Sequence, residues 1–252
     1  MVEQDVRYLN QSMSDMRYSW TGREMRLMDK LTLNLLDTIS GKEKEMYRIL
    51  RSNIEFAGVE NKIITVTSCY SNEGKTTISY NLACAFAESG KKTLFIDADL
   101  RKSTFVERCR LKQIVKGLSH LLSGQNELDE VLYETNVEKL FVIFCGVFSE
   151  NPTELLANEY FVKLLEEIRD LFEYVVIDTP PLGSVVDAAV IARQSDASIL
   201  VVASDLVSRG EAQHVIRQLK SANKNILGVV LNKIDNQNGN YFEGKEHKKY
   251  YK

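Results

Sequence analysis

The chain has 252 residues, 44% hydrophobic and 27% charged, with 32 Lys and Arg against 35 Asp and Glu. That composition holds enough apolar mass for a full core and excludes a wholly disordered chain, and its near-neutral charge argues against bulk-charge binding to nucleic acid. The longest stretch without charge, residues 76–87, is far short of the ~18 residues that span a bilayer, and Glu3, Asp5 and Arg7 argue against a signal peptide at the N-terminus. Cys69, Cys84, Cys109 and Cys145 match no zinc, iron–sulfur or disulfide spacing and are expected reduced and mostly buried.

Taken in chain order, Met25, Met28, Leu31, Leu35 and Ile39 recur at helical spacing and predict an amphipathic helix within a 1–40 extension, ended by Gly41. A second helix is expected over about 43–57, with Met46, Ile49, Leu50, Ile54 and Ala57 on its apolar face and Glu45, Arg48 and Arg51 opposite. Strands are then expected at 63–67, 93–97, 140–145, 174–178, 198–203 and 226–231. Between them lie helical patterns near 75–89, 117–122, 127–134, 153–171, 187–193 and 209–222. Strands apolar on both faces and joined by helices predict a doubly wound α/β domain over about 41–235: a mostly parallel sheet flanked by helices on both faces. Residues 236–252 contain no Leu, Ile or Val, so they cannot bury a face and read as a flexible tail carrying Tyr241, Tyr250 and Tyr251.

Ser71-Asn72-Glu73-Gly74-Lys75-Thr76-Thr77 follows a predicted strand and opens a predicted helix, the context a P-loop requires. Gly74 lets the backbone approach phosphates, with loop and helix N-terminal amides pointing at them. Lys75 is suited to bridge the β- and γ-phosphates of ATP and the Thr76 hydroxyl to ligate Mg²⁺. The generic pattern has glycine where this chain has Cys69. Two further strands end in acid. Asp97 and Asp99 stand two residues apart and are expected to face one side, and Asp178 closes another strand at the carboxyl edge, where open α/β sheets bind ligands.

These segments together resemble the bacterial tyrosine kinases that partner capsule and exopolysaccharide export, P-loop NTPases related to the MinD and ParA ATPases. Glu73-Gly74-Lys75-Thr76 matches the family's EGK[ST] loop, Asp97-Ala98-Asp99-Leu100-Arg101 its DxDxR motif, and Asp178-Thr179-Pro180-Pro181 its DxPP motif. Asn151-Pro152-Thr153-Glu154-Leu155-Leu156 resembles its NPxELL segment, and Asp187 fits a further family aspartate. Ser103 departs from the pattern, which commonly has proline there, and the Cys145–Asn151 segment lacks the usual prolines.

The resemblance implies an ATP-dependent tyrosine kinase that phosphorylates its own tail in trans at Tyr241, Tyr250 and Tyr251 and regulates capsular or exopolysaccharide synthesis. Lys75 and the loop would hold the phosphates. Asp178 would join Thr76 at Mg²⁺, Asp97 accept the tyrosine proton, Asp99 support the metal or the base, Arg101 order the site and Asn232 read the adenine. Glu45-Met46-Tyr47-Arg48-Ile49-Leu50-Arg51 fits the family's E-x-x-R-x-x-R segment, which implies contact with a neighbouring subunit in a homo-oligomeric ring such as an octamer. The implied partners are the cytoplasmic end of a separate membrane adaptor, which would recruit this cytoplasmic chain to the membrane, and a phosphotyrosine phosphatase. The alternatives are a MinD/ParA-like switch ATPase, which carries a signature lysine where this chain has Tyr70, and a nucleotide-binding regulatory scaffold with little kinase activity.

Overall fold

The computed structural model describes residues 18–20, 23–25, 28–33, 39–111 and 115–234. The tail tyrosines Tyr241, Tyr250 and Tyr251, and residues 1–17, lie outside the described residues. The chain runs β1 (Tyr18–Trp20), β2 (Arg23–Met25), β3 (Met28–Leu31), α1 (Gly41–Ala57), β4 (Ile63–Ser68), α2 (Lys75–Glu88), β5 (Thr93–Asp97) and α3 (Phe105–Arg108). It continues through α4 (Leu118–Leu122), a 3₁₀ turn (Leu128–Glu130), β6 (Tyr133–Thr135), β7 (Leu140–Ile143), α5 (Pro152–Ala157) and α6 (Glu159–Leu171). The last elements are β8 (Tyr174–Asp178), α7 (Asp187–Ala192), β9 (Ala197–Ala203), α8 (Arg209–Ala222) and β10 (Ile226–Asn232).

Eight strands form one sheet in the order β10-β9-β4-β8-β5-β7-β6-β3. The run from β10 to β7 is parallel, and β6 pairs antiparallel with β7. Side chains alternate across a strand, which explains why these strands are apolar throughout. Leu94, Ile96, Val175 and Ile177 enter one core with Phe161, Leu164 and Ile168 of α6. Phe95, Tyr174 and Val176 enter the other with Ile78, Leu82 and Phe86 of α2. The sheet is therefore covered on both faces, and its carboxyl edge is left for the loops.

The structure corrects the sequence reading in several places. Residues 28–31 are a strand rather than part of a helix over 25–39. β3 joins the sheet edge beside β6, with Leu31 and Leu33 both buried two residues apart, and the Asn136 side chain and backbone hold that segment. An available strand edge outweighs a three-residue apolar spacing that either conformation can present. Gly41 begins α1 instead of ending a helix, because Ser40 and Glu43 form a capping box across its first turn.

On α1 the packed face is Tyr47, Leu50 and Ile54, while Met46 and Ile49 are exposed. Arg51 lies on the packed side, donating to the Ala85 carbonyl at 3.2 Å and pairing with Glu55 at 3.6 Å. Of the expected charged face, Glu45 and Arg48 do remain exposed and pair at 3.3 Å.

The expected helix at 127–134 is one 3₁₀ turn followed by β6, because the Tyr133 ring packs on Phe144 and Thr135 bonds the Leu140 carbonyl. α3 had no periodic signal. It forms because Phe105 is pinned in an aromatic cluster with Tyr80, Phe95 and Phe144. The expected helix over 153–171 divides at Asn158, whose Oδ1 accepts the Phe161 N–H and whose Nδ2 donates to the Leu122 carbonyl. A residue used twice in this way is costly to remove. Asn158→Ala should lower unfolding free energy by about 1–2 kcal/mol, and Asn158→Asp, which keeps the cap, by less, as read from urea denaturation midpoints.

Candidate active site

β4 delivers the chain to the carboxyl edge, where residues 71–74 turn into α2. The turn needs left-handed backbone at Asn72 (φ 65°) and Gly74 (φ 86°), the latter at the N-cap of α2. A Cβ at Gly74 would lie 2.1 Å from Asn232 Nδ2, so the glycine is required by space as well as by φ. Asn232 donates to the Glu73 carbonyl at 2.8 Å and Lys233 to the Asn72 carbonyl at 2.5 Å, bracing the loop from β10. The Glu73 carboxylate is buried and turned inward, accepting the N–H groups of Tyr70 and of Ala203, the latter at 2.8 Å. Its side chain is a strut between loop and β9 rather than a phosphate ligand, which leaves only its backbone for that role. Cys69 is buried beneath the loop in place of the usual glycine.

Lys75 begins α2 and is itself buried. Its Nζ donates to Asp178 Oδ1 at 2.6 Å. Thr76 Oγ1 donates to Asp178 Oδ2 at 2.6 Å, and Ser79 Oγ reaches Oδ1 at 3.0 Å. Three donors from the first two turns of α2 thus converge on one buried carboxylate at the end of β8. Ser79 was not singled out in the sequence, although its place four residues after Lys75 puts it on the same helix face. Nor was Arg108, which donates to Thr77 Oγ1 at 2.8 Å and ties α3 to the first turn of α2.

Asp97 sits in register beside Asp178 on the neighbouring strand and is fully buried. Burial, and then the Asp178 charge, push its carboxyl up to about 7, while a hydrogen bond from Ser103 and the charge of Lys75 pull the other way. The same Ser103 hydroxyl accepts the Phe105 N–H at 3.0 Å. Asp99 does not share this environment. It lies past the strand end, half-buried, with Oδ1 accepting the N–H groups of Arg101 and Lys102 at 3.2 and 2.9 Å.

Arg101 turns toward the NPxELL segment. Its Nε and Nη2 grip Asp187 at 2.7 and 3.0 Å, and Thr153 bonds both Asp187 (2.5 Å) and the guanidinium (3.1 Å). Three segments far apart in the chain meet there. Arg101 braces the site's wall through Asp187 and Thr153.

The oxygen set of Thr76 and Asp178 is the hard-donor chemistry that Mg²⁺ prefers. Among the described residues no three His, Cys, Asp or Glu side chains form a cage of their own. Thr76 and Asp178 would hold such an ion with the rest of its coordination left open.

Residues 61–233 match a family model described as an AAA domain. The chain is 42% identical over 200 residues to the tyrosine-protein kinase CpsD of Streptococcus agalactiae serotype III (strain NEM316), covering 79% of this chain and 86% of that one. With the CpsD of Streptococcus pneumoniae serotype 4 it shares 45% over 194 residues, covering 77% and 86%. The chain belongs to the CpsD family of bacterial tyrosine kinases.

Solved structures agree with this placement. The kinase domain of the Escherichia coli tyrosine kinase ETK superposes with a TM-score of 0.72 at 36% identity, covering 76% of this chain and 75% of that one. The chimerical protein CapA2B2 gives 0.72 at 32%, covering 80% and 95%. MinD of Pyrococcus horikoshii, at 24% identity and 0.58 over 68% of this chain and 69% of its own, shares the fold.

The Arg101–Asp187 pair is half-open: Asp187 is fully buried and Arg101 is 37% exposed. Arg101→Ala should therefore cost roughly 2 kcal/mol of stability, below the ~3–5 kcal/mol of a fully enclosed pair, as read by chemical denaturation. Arg101→Lys, which keeps the charge without the fork, should fall between that variant and the parent.

Proposed function

We propose that this chain is an ATP-dependent protein-tyrosine kinase that phosphorylates its own C-terminal tyrosines and regulates capsular or exopolysaccharide synthesis. The observation that carries the reading is the buried Asp97, set beside Asp178 at the mouth of the P-loop. An ATPase switch activates water. A tyrosine kinase must take a proton from a phenol whose ordinary pKa is near 10, and a desolvated carboxyl with proton affinity near neutrality suits that task.

In this reading the loop amides and Lys75 hold the β- and γ-phosphates, and Asp178 gives up Lys75 to the incoming triphosphate. Thr76 and Asp178 would hold Mg²⁺, which supplies charge neutralisation on the phosphate oxygens. Asp97 accepts the tyrosine proton, oriented by Ser103. Asp99 shapes the turn that presents Arg101, with its second carboxylate oxygen left for the metal or the base. Asn232 lies beside the loop, where its Oδ1 can read the adenine. Transfer through a loose transition state asks chiefly for alignment and charge compensation, which a rigid sheet edge provides.

The acceptors are Tyr241, Tyr250 and Tyr251, entering from a neighbouring copy in a ring. Exposed Glu45 and Arg48 on α1 are available to that contact, whereas Arg51 is partly committed to its own subunit. Residues 236–252 carry four lysines against two glutamates, and each phosphate adds about −1.5 to −2, so full phosphorylation reverses the tail's sign and favours ring dissociation. Among the described residues no helix is long and apolar enough to cross a membrane. Recruitment to the inner face of the membrane would fall to the cytoplasmic end of a separate adaptor, and reversal to a phosphotyrosine phosphatase.

Purified protein incubated with ATP and Mg²⁺ should accumulate phosphotyrosine in residues 236–252 by mass spectrometry, and Lys75→Met should lower the rate at least about a hundredfold. Mixing full-length Lys75→Met with an active chain truncated after residue 234 should label the inactive chain, which establishes transfer in trans. An unlabelled tail in the parent, with ATP turnover intact, would leave the switch reading standing. Light scattering should show a fall in mass on full phosphorylation; unchanged mass sinks the dissociation step alone.

A further inference from the structure

The loop between β7 and α5 exposes two large apolar side chains in succession, Val147 at 60% and Phe148 at 59%. The loop runs along the acidic pair. Its Ser149 N–H donates to the carbonyl of Leu100, the residue between Asp99 and Arg101, at 3.1 Å. At its start, Cys145 is buried just past the end of β7, its thiol donating to the Gly146 carbonyl at 3.5 Å.

The loop is also firmly built. Gly146 takes a left-handed φ of 81° where a Cβ would strike Ser119 Oγ, and Ser149 Oγ accepts the Asn151 N–H at 3.1 Å. Beyond Arg101 a third exposed apolar residue, Val186 at 61%, adjoins Asp187. Apolar residues fixed on a rigid rim beside a catalytic group point to a docking surface rather than to chance exposure.

Its charge says what docks. Glu150 and Glu154 are exposed on the loop and the first turn of α5, and Asp99 is half-buried next to them. Arg101 is neutralised by Asp187, which leaves Lys102 as the nearby exposed cation on this stretch. An apolar rim edged with carboxylates suits an aromatic residue in a basic setting.

The tail offers two different settings. Lys248-Lys249-Tyr250-Tyr251-Lys252 surrounds its tyrosines with lysine, whereas Tyr241 is followed by Phe242 and Glu243 with no cation nearer than Lys245. Resting on the kinase reading above, we infer that the rim formed by Val147, Phe148, Glu150, Glu154 and Val186 is the docking surface for the Lys248–Lys252 segment, and that it selects Tyr250 and Tyr251 over Tyr241. The aromatic ring lies on Phe148 while the flanking lysines face Glu150 and Glu154. One surface both places the phenol near Asp97 and ranks the acceptors.

Two synthetic peptides test this with the full-length chain, ATP and Mg²⁺: residues 245–252 and residues 236–244. The basic peptide should be phosphorylated with a kcat/KM about tenfold higher, an advantage that shrinks at 0.5 M salt. Glu150→Lys with Glu154→Lys should raise KM for the basic peptide about tenfold and lower it for a version with Glu at positions 248, 249 and 252. Phe148→Ser should raise KM for both peptides with kcat within about twofold. All three replaced residues are exposed, so their loss opens no core cavity. Equal use of the two peptides, or charge-reversed variants with unchanged KM, overturns the docking surface and leaves the kinase reading intact. A parent chain that phosphorylates neither peptide nor its own tail overturns both.

Discussion

The structure is organised around one buried charge, the carboxylate of Asp178. An ion taken out of water is tolerated only when it is paired and fully hydrogen-bonded, and here Lys75, Thr76 and Ser79 supply the partners. Because all three come from the start of α2 and the acceptor from the end of β8, the same contacts fix the direction in which α2 leaves the P-loop. They also set the electrostatics next door. Asp97 is raised first by burial and then by the Asp178 charge, so Asp97 and Lys75 are linked through one carboxylate. A triphosphate that draws Lys75 away changes the field at both aspartates at once.

Around this centre the supporting contacts divide the labour. The loop backbone, strained at Asn72 and Gly74, is held from behind by side chains that bond its carbonyls and amides: Asn232, Lys233 and the inward-facing Glu73. That leaves the phosphate-facing side of the loop free of side-chain obligations, the preorganisation that anion binding by backbone N–H groups requires. On the opposite flank, Arg101, Asp187 and Thr153 lock the DxDxR turn to α5 and α7. One support shapes the P-loop and the other the turn that follows β5.

How much of this could be read from the chain depended on how local the determinant was. The parallel strands were legible because burial on both faces leaves uninterrupted apolar runs, and β5 and β8 begin and end where those runs do. The P-loop and the acidic strand ends were legible because their spacing is the chemistry. β3 was not, since its conformation is decided by the edge that β6 offers rather than by Met28–Leu31 themselves. The break at Asn158 and the short α3 likewise depend on partners, Leu122 and the Phe95–Phe144 aromatic cluster, that sequence distance hides. The inward turn of Glu73 and the commitment of Arg51 to its own subunit were hidden for the same reason.

The different surroundings of Asp97 and Asp99, which two acids two residues apart in the sequence do not distinguish, follow from where the sheet stops. β5 is paired on both sides as far as Ile96, and on the β8 side one residue further, with Asp97 in register with Asp178. The ladder therefore holds the Asp97 carboxyl inside the sheet edge, away from water and against a second acid. After Ala98, whose N–H still reaches the Asp178 carbonyl at 2.8 Å, pairing ends and the chain turns. Asp99 is thereby left half-buried past the strand end, and its oxygen is taken up by the amides of that turn. A carboxyl with raised proton affinity in a fixed place is suited to receive a proton. A half-buried carboxylate already accepting two N–H groups is suited to hold a turn and offer its remaining oxygen to a cation. Two residues with the same side chain acquire different chemistry because the hydrogen-bond ladder ends between them.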